Sequence, residues 1–190
     1  DLLEAMRATE SARQHAAELA ETLQRTLVPP TPPSIEGLTV SAVYRPAGDG
    51  REVGGDFYDV FQIAGREWMV VVGDVTGKGI SAALVTAFVR HTIRDLAMRV
   101  GDPSDLLHEL NDALLAHDTE RFCTVVVAKL CDEGGEWTVT GSVGGHPLPL
   151  LRHADGSVAE LGRHGSLVGV ISEPTFSTFE HRLVDDLLLL

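Results

Sequence analysis

Cysteine is nearly absent. Cys123 and Cys131 are the only two in 190 residues, and they form no C-x-x-C pair. That excludes a disulfide framework and reads as two free, buried thiols in a reducing, cytoplasmic setting. Basic charge is scarce as well: 15 Lys and Arg stand against 28 Asp and Glu, a formal net charge of −13. Nucleic acid and anionic membrane both want a basic face, so neither is expected as a partner. No apolar run approaches the roughly 20 residues of a membrane span, and no basic-then-apolar leader opens the chain. Membrane insertion is not expected.

Several catalytic signatures are missing too. There is no G-x-S-x-G, so a nucleophilic serine has no local support. "GDVTGKGIS" fails as a P-loop, because only three residues separate Gly73 from Gly77 and Gly79 follows Lys78. "HELND" at 108–112 is not a zinc-protease motif, since position 112 is Asp. The eight histidines show no ligand spacing. His146, in the turn "GGHPLPL", is either a structural turn residue or one that lines a site.

What is present is patterned. Residues 1–28 hold no Gly or Pro and carry a weak alanine-rich heptad, ended by "PPTPP" at 29–33. The segment reads as a helix, packed on its own domain or forming a coiled-coil linker that pairs two chains (a homodimer through 1–28) or joins an upstream sensor domain. A boundary falls near Pro33. Strands are expected over 38–45, within 53–62, and at 67–74, 122–130, 136–143, 147–153, 176–184 and 187–190. Two helices are expected between them. One covers 80–99, with Ile80, Leu84, Ala87 and Phe88 on its apolar stripe. The other covers 103–116, with Asp102 as N-cap, Pro103 at the first helical position, and Leu106, Leu107, Leu110 and Leu114 facing inward. Strands, a helix pair, then strands again argue for an α+β fold with antiparallel sheet.

One stretch raises an electrostatic question: "VGGDFYDVFQIAGREWMVVVGDVTGKG", residues 53–79. Read as a hairpin with a three-residue loop at Ala64-Gly65-Arg66, it pairs Ile63 with Glu67 and, counting outward, Asp56 with Asp74. Directly opposed residues have Cβ atoms about 4.5–5.5 Å apart, and a one-residue slip would put the carboxylates on different faces. Two carboxylates that close are unfavourable unless one is protonated or a cation lies between them. All-oxygen ligands favour Mg²⁺ or Mn²⁺. The alternative is a solvated hairpin with acidic residues on its polar face. Asp59, an odd step away, faces the other side and has a structural role. Gly54-Gly55 lets backbone approach what Asp56 holds. Gly77, Lys78 and Gly79 expose backbone ahead of a helix N-terminus that favours an anion.

Taken together, "VGGDFYD" (53–59), "GDVTGKGISAAL" (73–84), "FCTVVVAKL" (122–130) and "GGHPLPLL" (144–151) resemble, in order and spacing, the bacterial SpoIIE-like serine phosphatases. These are the sigma-regulator branch of the PPM (type 2C) metal-dependent phosphatases. The resemblance covers about 19–190. It implies a four-layer α-β-β-α sandwich of two antiparallel sheets flanked by helices, with 1–33 as the linker and 34–190 as the phosphatase domain. It further implies two Mn²⁺ or Mg²⁺ ions and a bridging water that attacks phosphate in line. Asp56 matches the first acidic ligand, Asp74 the aspartate that bridges both ions, and the Val75 carbonyl a backbone ligand. The implied substrate is a phosphorylated STAS-type anti-anti-sigma protein. In that family a strand like "DDLLLL" (185–190) runs into further metal-binding aspartates, and the sequence stops at Leu190. An incomplete centre with weak metal binding is therefore expected of these 190 residues. The competing functions are a phosphatase-like interaction or signal-transmission module and a hydrolase of small phosphoesters.

Overall fold

The computed structural model describes residues 6, 7, 9, 10, 31–45, 54–117 and 119–190. Met6, Arg7, Thr9 and Glu10 are helical. The rest of the helix expected over 1–28, and with it the coiled-coil reading, lies outside the described residues.

Strands β1 (Asp56–Ala64) and β2 (Glu67–Val75) form a hairpin. They are followed by helices α1 (Ile80–Ala97) and α2 (Pro103–Ala116). Strands β3 (Cys123–Asp132), β4 (Trp137–Gly144), β5 (Leu150–Arg152), β6 (Val158–Glu160), β7 (Thr178–Leu183) and β8 (Leu187–Leu189) complete the chain. They build two antiparallel sheets, ordered β1-β2-β3-β4-β7 and β6-β5-β8. The fold is α+β, as expected. Among the described residues both long helices lie on one face of the larger sheet.

Period-2 alternation sorts the large sheet's side chains to two cores. On the helix side Phe57, Phe61, Met69, Val71, Val125 and Val127 pack with Val85, Val89, Ile93, Leu106 and Leu110. On the other side Val60, Ala128, Leu130, Trp137 and Val139 meet Leu161, Leu188 and Leu190 near the small sheet. This double coverage explains why "EWMVVVGD" is nearly all apolar. Ile35 is also buried in the second core, which ties the chain to the domain at that point.

Helix α2 starts as read. Asp102 accepts from the Ser104 N–H at 2.7 Å and the Asp105 N–H at 3.3 Å, with Pro103 in the first turn. Thr178 Oγ1 donates to the same carboxylate at 2.8 Å, fastening the helix to β7.

Four expectations need correction. First, the buried stripe of α1 is Ala82, Val85, Thr86, Val89, Ile93 and Leu96, whereas Ile80 and Leu84 are exposed. The helix is apolar on more than one face, and the side with small residues is the one that fits closely against the sheet. Second, 38–45 forms no strand: only an Ile35–Leu38 bridge is present, though Leu38 and Val40 do pack on the second core. Third, β5 is shorter than 147–153 because Pro147 and Pro149 have no N–H to give a ladder. Fourth, Ile63 is not paired with Glu67. Ala64 is, and Ile63 is the extra residue of a bulge. The exposed three-residue strand β6 had no alternating signal and was not anticipated. Cys123 is free and buried, whereas Cys131 is free and only partly buried.

Candidate metal centre

The hairpin register places Asp56 opposite Asp74. The bulge at Ile63 absorbs the difference between a two-residue and a three-residue loop, so every pair from Gln62–Trp68 outward keeps the expected register. Both aspartates sit at the open end of the hairpin, β1 being the sheet's edge strand. Their side chains are on the face away from the helices. Burial, and then the Asp56 charge, push the Asp74 carboxyl above the ordinary carboxylate range. A cation between the two groups would remove that penalty.

Gly55 completes the corner. A Cβ built there would lie 1.8 Å from the Val75 carbonyl oxygen and 2.7 Å from Asp74 Oδ1. The Val75 N–H donates to the Gly55 carbonyl at 3.1 Å, extending the ladder past the aspartates. Only glycine lets the two backbones approach this closely. From α1, Thr86 donates to the Ala82 carbonyl at 3.0 Å, with the Gly55 carbonyl 3.5 Å away. Two carboxylates and one backbone carbonyl, all oxygen and all at one sheet corner, are a donor set that fits a hard divalent ion. Gly55→Ala is expected to weaken Mn²⁺ binding at least about tenfold and to cost about 1–3 kcal/mol of stability, because backbone must move to admit the methyl. Calorimetry and thermal unfolding check both; wild-type affinity in the variant would refute the close-approach role.

Two residues missed by sequence reading join the site. Thr124 on β3 is paired directly with Asp74, so Asp56, Asp74 and Thr124 form a row across three strands. Thr124 Oγ1 in turn lies 2.8 Å from His146 Nδ1. Burial pushes the His146 imidazole below its ordinary range, and the nearby Asp56 charge opposes that shift. The "GGHPLPL" turn therefore sets its histidine against Thr124, the β3 partner of Asp74. Arg121 is the other addition. Its guanidinium donates to the Thr76 carbonyl and, at 2.8 Å, to Ser81 Oγ.

The loop from β2 into α1 carries Gly77, Lys78 and Gly79. Gly77 (φ 94) and Gly79 (φ 85) occupy the left-handed region that favours glycine. A Cβ on Gly77 would also strike Arg121 Nη1 at 1.9 Å. Gly79 caps α1 with no side-chain bond, leaving the first N–H groups of the helix for another acceptor. Thr76, Gly77, Thr119, Glu120 and Arg121 line an open pocket of about 520 Å³. Cys123 is no nucleophile here: burial, and then the Asp74 charge, push its thiol up to about 12.

The chain is 26% identical over 168 residues to the phosphoserine phosphatase RsbU of Bacillus subtilis, covering 87% of this chain and 48% of RsbU. It is 28% identical over 110 residues to the protein IcfG of Synechocystis, covering 58% of this chain and 17% of IcfG. The chain thus spans about half or less of these relatives. Among solved structures, the RsbU and RsbW domains of Rv1364c from Mycobacterium tuberculosis match with a TM-score of 0.54 and 27% identity, over 66% of this chain and 35% of that one. The SiaA-PP2C domain of Pseudomonas aeruginosa matches with a TM-score of 0.65 over 93% of this chain and 70% of that one; at 19% identity it speaks for the fold. No helix among the described residues is long and apolar enough to cross a membrane. The family model described as Stage II sporulation protein E matches residues 64–190, more than half of the sequence, and the chain belongs to the Stage II sporulation protein E (SpoIIE) family.

Proposed function

We propose that this chain forms the catalytic part of a metal-dependent phosphoserine phosphatase that acts on a phosphorylated STAS-type regulator in sigma-factor control. The observation that carries the reading is the Asp56–Asp74 pair set opposite each other beside Gly55. The RsbU and Rv1364c likenesses support the substrate class. We place the domain start at 34, next to the buried Ile35, with 1–33 as its helical linker.

Divalent ions held by Asp56, Asp74 and the Val75 carbonyl would supply Lewis-acid activation of water and charge neutralisation at phosphate. The chain's own groups account for the rest. The first N–H groups of α1 and the Arg121 guanidinium flank the loop after Asp74, where they suit phosphate oxygens. Thr124 engages Nδ1 of His146, which leaves Nε2 as the nitrogen that can carry a proton to or from solvent beside the carboxylates.

Chelator treatment followed by Mn²⁺ addition tests the proposal on a phosphoserine STAS protein. In the full-length protein, phosphate release should stop with the chelator and return with Mn²⁺. Release that continues unchanged without metal would reject the mechanism. Binding of the phosphoprotein with no turnover in either condition would favour an interaction module.

A further inference from the structure

Away from the carboxylate pair, three more ligand-type side chains converge. His153 follows β5, His181 lies on β7, and Asp186 sits in the turn between β7 and β8. Their ligand atoms all lie within 4.8 Å of one another. His153 Nδ1 is 3.0 Å from Asp186 Oδ1, and His181 Nε2 is 3.5 Å from Asp186 Oδ2. The Asp186 side chain is only 5% exposed, whereas the imidazoles are 36% and 31% exposed. A shielded carboxylate therefore faces two imidazoles that solvent ions can reach.

The turn fixes that carboxylate. Asp185 holds a φ of 53, uncommon for a residue with a Cβ. The Val184 N–H donates to Asp186 Oδ2 at 2.9 Å. The observed separations of 3.0 and 3.5 Å bracket the edge of a tetrahedron around zinc, roughly 3.3 Å for metal–ligand bonds near 2.0–2.1 Å. The third edge, between the two histidines, is no longer than 4.8 Å.

We propose that His153, His181 and Asp186 bind a borderline divalent cation, Zn²⁺, with solvent in the fourth position. Two imidazoles and one carboxylate suit Zn²⁺ better than Mn²⁺ or Mg²⁺, which prefer all-oxygen sets. The ion clamps β5 and the β8 turn of the small sheet to β7, the edge of the large one. The site is separate from the Asp56–Asp74 corner. His181 shares its register with Val139, Leu130 and Trp68, three strands across from β2 and six residues along it from Asp74. At ordinary strand spacings that is about 14 Å across the sheet and about 20 Å along it.

Calorimetric titration of ZnCl₂ into the chelator-treated protein at neutral pH tests this. One tight Zn²⁺ site per chain is expected in the wild type and equally in Asp74→Asn, with the affinity of that site falling on the order of 100-fold in His153→Gln and in His181→Gln. Circular dichroism establishes that the variants fold. The wild type offers a second readout that needs no variant: bound Co²⁺ should shift the NMR ring signals of His153 and His181 strongly. No Zn²⁺ uptake, uptake abolished in Asp74→Asn, affinity unchanged by both histidine substitutions, or unshifted ring signals would each overturn the proposal.

Discussion

In the full-length protein, Asp74→Asn is expected to lower Mn²⁺-dependent phosphate release by a factor on the order of 10²–10³, about 3–4 kcal/mol of transition-state stabilisation. The substitution keeps the shape of the side chain and removes one anion from the centre of the row formed by Asp56, Asp74 and Thr124. The metal-free protein should respond in the opposite sense. Burial and the Asp56 charge raise the Asp74 carboxyl above its ordinary value of 3.8. Stability from a raised carboxyl is fully present below that value and is lost as pH rises through the folded-state value. At neutral pH the ionised Asp74 therefore burdens the metal-free fold, and Asn relieves it. Activity should fall while the metal-free unfolding midpoint holds or rises, and the stability difference should vanish in acid. Equal rates of phosphate release in the two proteins would remove Asp74 from the mechanism.

Asp59→Ala is expected to act on stability instead, costing about 3–5 kcal/mol. Asp59 is 1% exposed. It accepts from Arg94 Nε and Nη2 at 2.7 Å each and from Arg90 Nη2 at 3.0 Å. Arg94 also lies over the Phe61 ring, 4.5 Å from its centre. Removing the carboxylate takes the 3.0 Å Asp59 contact away from the Arg90 side chain, 13% exposed, between α1 and β1. Arg94 is 44% exposed and can turn to solvent, which places the loss nearer the lower bound. Thermal unfolding should show a drop of roughly 10 °C for a domain of this size. The pH dependence has a definite sign. Burial alone would raise the Asp59 carboxyl, but Arg94 and Arg90 outweigh it and hold it below 3.8. The stabilisation is present above that ordinary value and lost as pH falls through the depressed one. Wild type and Asp59→Ala should differ at neutral pH and converge in strong acid; a constant difference, or none at pH 7, would show that the ion pair is not what holds α1 to β1.

Much of the carboxylate site was legible because it is local. Alternation in β1 and β2 and the short connection between them constrain one another over about twenty residues. An error of one residue in the loop was cancelled by the bulge at Ile63. Asp59 was separated from Asp56 by parity alone, and the ion pairs with α1 bear out its structural role. The α2 cap was readable for the same reason: Asp102, Pro103 and Asp105 act on their own neighbours.

Other parts had no local signal. The α1 stripe was misread because 3–4 spacing fits two of its faces, and contact with the sheet chose the one rich in small residues. Thr124 became a site residue only when β3 took its place beside β2 in the sheet order. Arg121 reached the loop after Asp74 through a contact across 45 residues. The histidines showed no ligand spacing, yet His153 and His181 meet at Asp186 because β5, β7 and β8 converge.

By itself the sequence determined the hairpin, its register, the opposed aspartates and the family. The tertiary structure alone decided which side chains surround those aspartates, which face of α1 is buried and where a second cluster of ligands forms. Periodicity and turn chemistry act over a few residues, while strand order and the closing of long loops depend on how the sheets and helices pack together.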